Sequence, residues 1–444
     1  MKNCDILSNN RTKLIIHYTD LGGFLRSVET NYIEAENNEF IASFDGSSVT
    51  GFENIESSDL LIQLDHRTLR DIPWISDVKR GIGRIYRPNK KRYEKDPRYV
   101  AERLSSYLNE LGYRALVGAE LEFFVFKSLK ISYDNPTTLI SYRVKPLDRV
   151  RLEKNYHASD PLDALFTYRL KVSKYLALLD YEVEVSHHEV ARSQIELSLR
   201  AGDPVYISDE IITAKWVAKY VASEMGLRAI FMPKPIYGEN GSGMHLHISL
   251  WRGDENLFYS PDEKGLSEFA RYFIGGLIHH CRSLAALVAP TTNSYKRLVL
   301  GYEAPVYCLW GYYNRSVGIR IPVASNITKT RIEFRVPDPS ANPYLAVSAT
   351  LMAGLDGIKK KIDPGEEFVG SAYELTLNEI KERNIKTLPR DLYEALEELE
   401  NDHEFLKPVF NKELIESFIE IKRRELNEIY KRPHPYEYIL YMDI

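Results

Sequence analysis

Cysteine is nearly absent from this sequence, which has only Cys4, Cys281 and Cys308 among 444 residues. The three are odd in number, far apart and outside any CxxC spacing, so the sequence predicts neither a disulfide framework nor a cysteine metal site. This usage is typical of the reducing cytoplasm, which is the predicted location. Glutamine is also sparse beside abundant tyrosine, lysine and glutamate, a bias found in heat-adapted proteins.

Long apolar runs and an excess of positive charge are missing as well. The most apolar stretch, residues 273–290, contains two histidines and an arginine, so it falls short of a membrane span and predicts a buried helix. The N-terminal stretch MKNCDILSNNRTKLIIHY is too polar for a signal peptide. A net charge of −5, from 58 basic and 63 acidic residues, gives no reason to expect a nucleic-acid or membrane partner.

The chain is longer than one hydrophobic core usually serves, and its pattern changes along its length. The first part consists of short alternating runs separated by Gly, Asn and Asp turns, which predict a small β-rich module. The charged segment 87–99 is the predicted linker, where Asp96 and Pro97 form the N-cap and first turn of a helix. Strands and helices mix beyond it without an internal repeat, so we predict an α+β fold of two domains, 1–95 and 96–444.

Acidic residues interrupt several segments that otherwise have the apolar composition of strands. Glu120 and Glu122 in VGAELEFFVF are two positions apart, so a strand points both carboxylates to one face. Glu189 and Glu196 lie in two successive strand-like runs, and Glu333 lies in TRIEFRVPDP. Any one of these is most simply a solvated strand face, but five charges in apolar strands are costly without a shared partner.

A glycine-rich loop and a strand with two histidines add to this set. In PKPIYGENGSGMHLHISLW, residues 233–251, the polar residues His245, His247 and Ser249 alternate with apolar ones and share one face. A lone strand histidine is usually structural. Five carboxylates and one imidazole, however, make an oxygen-rich ligand set for two divalent ions, and such sets favour Mg²⁺ or Mn²⁺ over Zn²⁺.

Five arginines complete the candidate site within a short and otherwise apolar part of the chain: Arg297, Arg315, Arg320, Arg331 and Arg335. Guanidinium groups are suited to bind carboxylate and phosphate through paired hydrogen bonds. An exposed helix could carry such a cluster too, but NRSVGIRIP has strand character. The pattern therefore predicts phosphate or carboxylate binding.

Longer motifs resemble a known family. Six segments are similar, in sequence and in order, to those of type I glutamine synthetase: FDGSS (44–48), HHEVA (187–191), MPKPIYGENGSGMHLH (232–247), NSYKRLVLGYEAP (293–305), NRSVGIRIP (314–322) and RIEFRVPDPSANPYLA (331–346). The resemblance extends from YTDLGGFLRSVE to the terminal HPYEYILYMDI. It implies a small N-terminal β-grasp domain and a large C-terminal catalytic domain, whose curved antiparallel sheet forms a half-barrel backed by helices.

The resemblance also implies which residues hold two divalent ions and ATP. The ligands of the first ion, nearest the ammonia site, are Glu122, Glu189 and Glu196. The ligands of the second ion, beside the ATP phosphates, are Glu120, His245 and Glu333. The residues that face ATP are His247, Ser249, Arg320, Arg331 and Arg315. Of these, Arg315 is the arginine that stabilises the transferring phosphoryl group.

For the other substrates, the resemblance implies two sets of contacts. Glutamate is held by Asn240, Gly241, Arg297 and Arg335, while Glu303 is the flap residue that closes over the intermediate. The ammonium pocket, in which Asp45 takes the proton, consists of Asp45, Ser48, Tyr156 and Glu189. Asp45 belongs to the small domain and the metal ligands belong to the large one. In the family, the two halves of each site come from neighbouring subunits. The implied assembly is a dodecamer of two hexameric rings, and a PII-type protein is the candidate regulator.

These roles imply one reaction. ATP phosphorylates the side-chain carboxylate of glutamate, and ammonia then displaces phosphate from the γ-glutamyl phosphate to give glutamine. Two alternatives stay open from the sequence. One is a γ-glutamyl ligase for a larger amine (polyamine, ethanolamine or another alkylamine), although the ammonium-pocket residues are kept. The other is a catalytically weak regulatory homologue, although the metal-ligand set is complete.

The chain departs from the family pattern at a few positions. Ser193 stands where glycine is usual, Ala201 where an aromatic residue near the adenine is usual, and Leu300 where the flap carries proline. Tyr373 aligns with a tyrosine that one subclass adenylylates, but the surrounding motif differs, so no adenylylation is expected. None of these positions is a metal ligand or a glutamate contact.

Overall fold

The computed structural model describes residues 12–132, 141–148, 154–261, 264–324, 326 and 329–442. Cys4, the polar N-terminal stretch up to residue 11 and the outer limits of the two predicted domains lie outside these residues.

A small sheet forms from the N-terminal part of the described chain. Its elements are β1 (Lys13–Thr19), β2 (Leu25–Asn31), α1 (Tyr32–Asn37), β3 (Ala42–Asp45), β4 (Asp59–Asp71) and β5 (Val78–Tyr86). The strand order is β2-β1-β5-β4-β3, with β1 parallel to β5 and the other neighbours antiparallel. Leu14, Ile16, Leu60 and Ile62 are fully buried on one face, which confirms the β-rich module that the alternating pattern predicted.

A ten-stranded sheet is the centre of the rest of the chain. Its strands are β6 (Arg114–Ser132), β7 (Ser141–Pro146), β8 (Val183–His188), β9 (Gln194–Gly202), β10 (Arg228–Ile230), β11 (Met244–Arg252), β12 (Glu255–Asn256), β13 (Trp310–Tyr312), β14 (Ile319–Ile321) and β15 (Ile332–Phe334). The main path runs β13-β14-β15-β11-β6-β9-β8. Within the described residues, the sheet is antiparallel apart from the pair β13 and β14.

Helices pack against this sheet and form the C-terminal part of the chain. They are α2 (Pro97–Glu110), α3 (Phe166–Ala177), α4 (Pro204–Glu224), α5 (Glu268–His279), α6 (Cys281–Val288), α7 (Ser294–Arg297), α8 (Pro343–Lys360), α9 (Leu377–Glu382), α10 (Leu392–Asn401), α11 (Lys412–Tyr430) and α12 (Pro435–Tyr441). No helix in the described part of the chain is both long and apolar enough to cross a bilayer.

The start of α2 confirms the predicted signal. Asp96 caps the helix by accepting a hydrogen bond from the Arg98 backbone N–H, and Pro97 occupies the first turn. The apolar stretch 273–290, predicted to be one buried helix, instead contains parts of two helices, α5 and α6, which meet at His280. Asp402 and Asp356 hold the two ring nitrogens of His280 at 2.7 and 2.9 Å, so the break is fixed by tertiary contacts that the sequence pattern does not reveal.

The cysteines correct one prediction. Cys281 at the start of α6 and Cys308 form a disulfide, with their Cα atoms 6.2 Å apart. The expectation that the cysteines would stay unpaired was wrong, because 27 positions separate the two in sequence and only the folded chain brings them together. Cysteine usage therefore no longer supports the cytoplasmic location, which stays a prediction.

A buried arginine ties the small sheet to the large part of the chain. Arg98 on α2 bonds to Asp65 of β4 at 2.9 Å and to Asp209 of α4 through two contacts of 2.9 Å. Burial alone would raise the pKa of Asp65, but Arg67, Arg98 and Arg84 hold it far below its usual value. The small sheet is thus anchored by charges that water does not screen.

Replacing Arg98 by leucine should remove the buried guanidinium that two buried carboxylates, Asp65 and Asp209, share. We expect the free energy of unfolding to fall by about 3–5 kcal/mol, measured by urea denaturation at fixed protein concentration. Arg67→Leu is the matched control, because the Arg67 side chain also pairs with Asp65 but is 72% exposed. It should cost no more than about 1 kcal/mol. Equal losses in the two variants would contradict the assignment.

Candidate active site

A cavity of 980 Å³ opens on the face of the large sheet where β11, β6, β9 and β8 lie side by side. Two segments complete its walls, the substrate loop (residues 233–243) and the flap (residues 298–304). Much of the predicted site is brought together here. The predicted residues that line the cavity are Glu120, Glu122, Tyr156, Glu189, Glu196, Asn240, Gly241, His245, Arg297, Glu303, Arg315 and Arg335.

Strand register explains why the acidic side chains converge. Glu120 and Glu122 point to the same face of β6, as the two-residue spacing predicted. In the sheet, Glu122 lies opposite Glu196 of β9, and Glu120 lies opposite His245 of β11. Glu189 follows β8 directly, and its backbone N–H bonds to the Gln194 carbonyl across the turn into β9. Cross-strand neighbours are close enough for their side chains to share a ligand.

Glu333 of β15 lies behind this row and is fully buried. It is opposite His247 of β11 and Arg320 of β14 in the register. Its carboxylate bonds to Arg320 and Arg335, each at 2.5 Å, and lies 3.7 Å from His245 Nδ1. The two arginines thus balance the one acid that does not line the cavity.

Ligand atoms gather into two groups, in each of which they lie within 4.8 Å of one another. The first group is His187 with Glu189 and Glu196, and the second group is Glu120 with His247 and Glu333. The predicted ligand His245 belongs to neither group, but its ring nitrogens lie 2.9 Å from Glu120 and 3.7 Å from Glu122. Four or five oxygen donors with imidazole fit the chemistry of Mg²⁺ or Mn²⁺.

Sequence reasoning missed His187 and gave His247 only a nucleotide role. His187 is two positions before Glu189 at the end of β8, so the alternation that linked Glu120 to Glu122 could have identified it. The contact between His247 Nε2 and Glu120, at 2.9 Å, depends on strand pairing and carries no comparable sequence signal.

Three carboxyl groups around the first group resist ionisation. Burial, followed by the charges of Glu189 and Glu196, raises the pKa of Glu122 well above its usual value. Burial likewise raises the pKa of Glu196, with Glu120 and Glu189 adding to the shift, and burial raises the pKa of Glu189. Each of these groups therefore holds a proton more tightly than a free carboxyl group does, and a bound cation would compete with that proton.

In the second group, the surroundings favour ionised carboxylates instead. Burial would raise the pKa of Glu333, but Arg335 and the two strand histidines lower it to about 2. Burial would also raise the pKa of Glu120, yet His247 and His245 keep it well below its usual value. Burial, assisted by Arg335, lowers the pKa of His245 to about 4, so its imidazole is in the neutral form that binds metals.

The predicted glutamate contacts line the same cavity beside the acidic cluster. Gly241 is packed so closely that a Cβ there would stand 2.7 Å from Arg297 Cγ, so only glycine fits. Arg297 is 3% exposed, and its guanidinium donates to the carbonyls of Arg335 and Val336 at 2.9 and 2.8 Å. Gln194, which the sequence did not single out, donates to the Gly241 carbonyl at 2.9 Å.

Of the five residues predicted to face ATP, Arg315 lines this cavity and the other four do not. Arg331 Nε donates to His247 Nδ1 at 3.1 Å, so in a neutral ring Nε2 carries the hydrogen that is given to Glu120. Ser249 is 8% exposed and accepts a hydrogen bond from Trp251 Nε1 at 2.9 Å. His247 and Ser249 lie on β11, Arg320 lies on β14, and Arg331 directly precedes β15. These four residues therefore lie along the part of the sheet that begins at the second ligand group.

The predicted ammonium pocket is divided. Tyr156 lies in the cavity with Glu189. Asp45 and Ser48 do not line it, because they lie on the exposed edge of the small sheet, where Ser48 Oγ donates to Asp45 at 2.7 Å. Hydrogen bonds from Ser47 and Ser48 lower the pKa of Asp45 to about 2. One chain therefore does not assemble the predicted pocket.

Ser193, the residue found where the family usually has glycine, has a structural explanation. Its φ of 61° is a left-handed value that favours glycine. Its Oγ accepts a hydrogen bond from the Leu147 N–H at 2.6 Å, and its own N–H donates to Asp148 at 2.5 Å. The serine hydroxyl thus adds a bond that fixes the turn between Glu189 and Glu196.

Two family models match the chain. The glutamine synthetase β-grasp domain matches residues 11–88, and the glutamine synthetase catalytic domain matches residues 94–441. The five-stranded sheet is therefore the β-grasp domain. The ten-stranded sheet with its helices is the catalytic domain.

Similar proteins carry the same name. The glutamine synthetase of Sulfolobus acidocaldarius is 41% identical over 98% of this chain and 96% of its own length. That of Pyrococcus abyssi is 45% identical over 86% of this chain and 82% of its own. Among solved structures, Plasmodium falciparum glutamine synthetase superposes with a TM-score of 0.88 at 28% identity, covering 98% of this chain and 96% of that one.

A structure titled as a complex of GmaS with ADP superposes with a TM-score of 0.86 at 28% identity, over 99% of both chains. Matched over nearly its whole length by both family models and by relatives more than 40% identical, the chain belongs to the glutamine synthetase family and is an ATP-dependent glutamate–ammonia ligase.

Proposed function

We propose that this cavity is where glutamate is phosphorylated by ATP and then amidated, with the residue roles that the family resemblance implies. The observation that carries the proposal is the convergence of the carboxylates, His245 and the arginines in one 980 Å³ cavity. A carboxylate does not react with ammonia because its oxygen is a poor leaving group. Phosphorylation converts that oxygen into one that leaves as phosphate.

The two ligand groups divide the metal site. We assign the first ion to Glu122, Glu189 and Glu196, and the second to Glu120, His245 and Glu333. Bound Mg²⁺ or Mn²⁺ supplies positive charge for the phosphate oxygens. The ligand atoms of Glu189 and Glu196, and those of Glu120 and Glu333, lie within 4.8 Å of each other, which supports two of the three ligands assigned to each ion. His187 and His247 belong to the same groups and are close enough to act as further ligands.

The cationic side chains orient the anionic substrates. Arg335 and Arg297, with Asn240 and Gly241, bind glutamate on the side of the substrate loop. Arg315 stabilises the transferring phosphoryl group from the opposite wall. The nucleotide contacts, along β11 and the strands beside it, are His247, Ser249, Arg320 and Arg331.

Glu303 closes the cavity once glutamate is bound. Its carboxylate accepts a hydrogen bond from Asn240 Nδ2 at 3.0 Å, so the flap already touches the substrate loop. A closed flap keeps water away from the acyl phosphate.

Ammonium binding requires a second copy of the chain. Asp45 and Ser48 of one subunit would face Tyr156 and Glu189 of its neighbour, and Asp45 would remove the proton that makes ammonium unreactive. The exposed position of Asp45 supports this arrangement, and its low pKa keeps the carboxylate negatively charged, which favours the attraction of ammonium.

A dodecamer of two hexameric rings and a PII-type regulator are proposed from the family resemblance. The domain boundary between residues 95 and 96 is proposed from the charged segment 87–99 and the helix start at Asp96 and Pro97, and the cytoplasmic location stays a prediction.

The acceptor is tested by supplying glutamate and ATP with ammonium or with a panel of amines. We expect glutamine and phosphate in equal amounts with ammonium, and rates at least roughly tenfold lower with methylamine, ethanolamine and a polyamine. The measurement is product formation by mass spectrometry together with phosphate release. Activity with a bulky amine alone would contradict the proposal, as would inactivity with every amine in the presence of Mg²⁺.

Sharing of the site between subunits is tested by complementation. Asp45→Asn and Arg315→Ala should each abolish activity in homomeric assemblies. When the two variants are co-expressed and purified through different tags, random mixing restores about a quarter of the sites. The same variants mixed after assembly, without subunit exchange, are the control. No recovery in co-assembled protein would show that Asp45 and Arg315 act within one chain.

A further inference from the structure

The flap has an unusual backbone conformation. Gly301 has a φ of 89°, and Glu303 has a φ of 55°, a left-handed value that residues with a side chain rarely adopt. Leu300 at the turn is 49% exposed and gives the flap little burial. A strained segment of this kind keeps one conformation only where contacts from its surroundings hold it.

The substrate loop supplies such contacts at three points. The Lys234 backbone N–H donates to Asn293 Oδ1 at 2.7 Å, and Asn293 Nδ2 donates to the Lys234 carbonyl at 3.0 Å, just before the flap begins. Asn240 holds Glu303 at the far end. Between them, Lys234 Nζ lies 3.4 Å from the centre of the Tyr302 ring. Tyr302 is the residue directly before Glu303.

The ammonium group of Lys234 depends on that ring. In addition to its contact with the Tyr302 ring, the Lys234 ammonium group donates a hydrogen bond to the Glu239 backbone carbonyl. The Glu239 carboxylate is bonded by Arg192 Nε at 2.6 Å, so it is engaged elsewhere. Burial lowers the pKa of Lys234 to about 8, against the opposing charge of Glu239. A partly desolvated cation with few polar partners gains most from an aromatic face.

We infer that Lys234 is a positioning residue for the flap: it holds Tyr302 against the substrate loop and so keeps Glu303 over the cavity. Tyr302 and Glu303 line the cavity, whereas Lys234 acts through Tyr302. The inference rests on the proposed role of Glu303, because a flap matters only if it protects a reactive intermediate.

A loosened flap has a chemical signature. When water reaches the γ-glutamyl phosphate, its oxygen attacks the acyl carbon, the bond to the phosphate oxygen breaks, and glutamate, phosphate and a proton are released. ATP is then consumed without glutamine formation. Coupling between phosphate and glutamine therefore reports on the flap separately from overall rate.

The test compares Lys234→Met, which keeps the apolar stem and removes the charge, with Lys234→Arg, which keeps a cation able to stack on the ring. Glutamine and phosphate are measured in the same reaction at saturating substrates. In Lys234→Met we expect kcat for glutamine to fall roughly tenfold, phosphate release to fall less, and the KM for ATP to stay unchanged. Lys234→Arg should keep equal amounts of the two products.

Two further variants make the result decisive. Lys219→Met is the matched control, because Lys219 on α4 lies over the Phe231 ring at 5.6 Å and does not contact the flap; it should behave as the unmodified protein. Tyr302→Leu removes the ring and should uncouple the reaction as Lys234→Met does, with no further effect in the double variant. It also keeps the test open if Lys234→Met does not fold.

If Lys234→Met and Tyr302→Leu both released glutamine and phosphate in equal amounts, whatever their overall reaction rate, the inference would be overturned. Uncoupling in Lys234→Arg as complete as in Lys234→Met would also overturn it. Failure of the unmodified protein to make glutamine would instead contradict the proposed function, so the two are distinguishable.

Discussion

The burial of several like charges on one face of the large sheet is the constraint on which the rest of the structure depends. Burial raises the pKa values of Glu122, Glu189 and Glu196, and neighbouring carboxylates add to the shift of each. Such a cluster is unfavourable in a folded protein unless cations or protons offset it. Arg320 and Arg335 contribute to that offset at the deepest acid, Glu333, and in the proposed site divalent ions bound by Glu333 and by the acids that line the cavity supply the rest.

Around this cluster, the metal ligands and the glutamate contacts are carried by different kinds of structure. Metal ligands come mainly from paired strands, whose register fixes which side chains face each other. Contacts that must admit and enclose glutamate come from the substrate loop and the flap, where backbone strain at Glu303 is held by neighbouring side chains. The β-grasp domain is anchored through the buried Arg98, which leaves Asp45 on an exposed edge that faces outward from its own chain. The division suits a site completed by a second subunit.

Local patterns predicted much of this arrangement, and long-range contacts account for what they missed. The spacing of Glu120 and Glu122 gave their common face, and Asp96 with Pro97 gave the start of α2, because strand alternation and helix capping are set by adjacent residues. The Cys281–Cys308 disulfide, the break at His280 and the contact of His247 with Glu120 depend on segments distant in sequence. The hydrogen bonds from Arg297 to backbone carbonyls could not be predicted either, because a sequence motif identifies a residue but not its hydrogen-bond partners.

We propose that the buried acids of the large sheet hold two divalent ions. Metal-free protein can be titrated with Mn²⁺ in a calorimeter, near neutral pH, in buffers of different ionisation enthalpy. We expect about two ions per chain in the absence of nucleotide and a net release of protons, because Glu122, Glu189 and Glu196 give up protons when the cation replaces them. Binding of one ion or none, or binding without proton release, would contradict it.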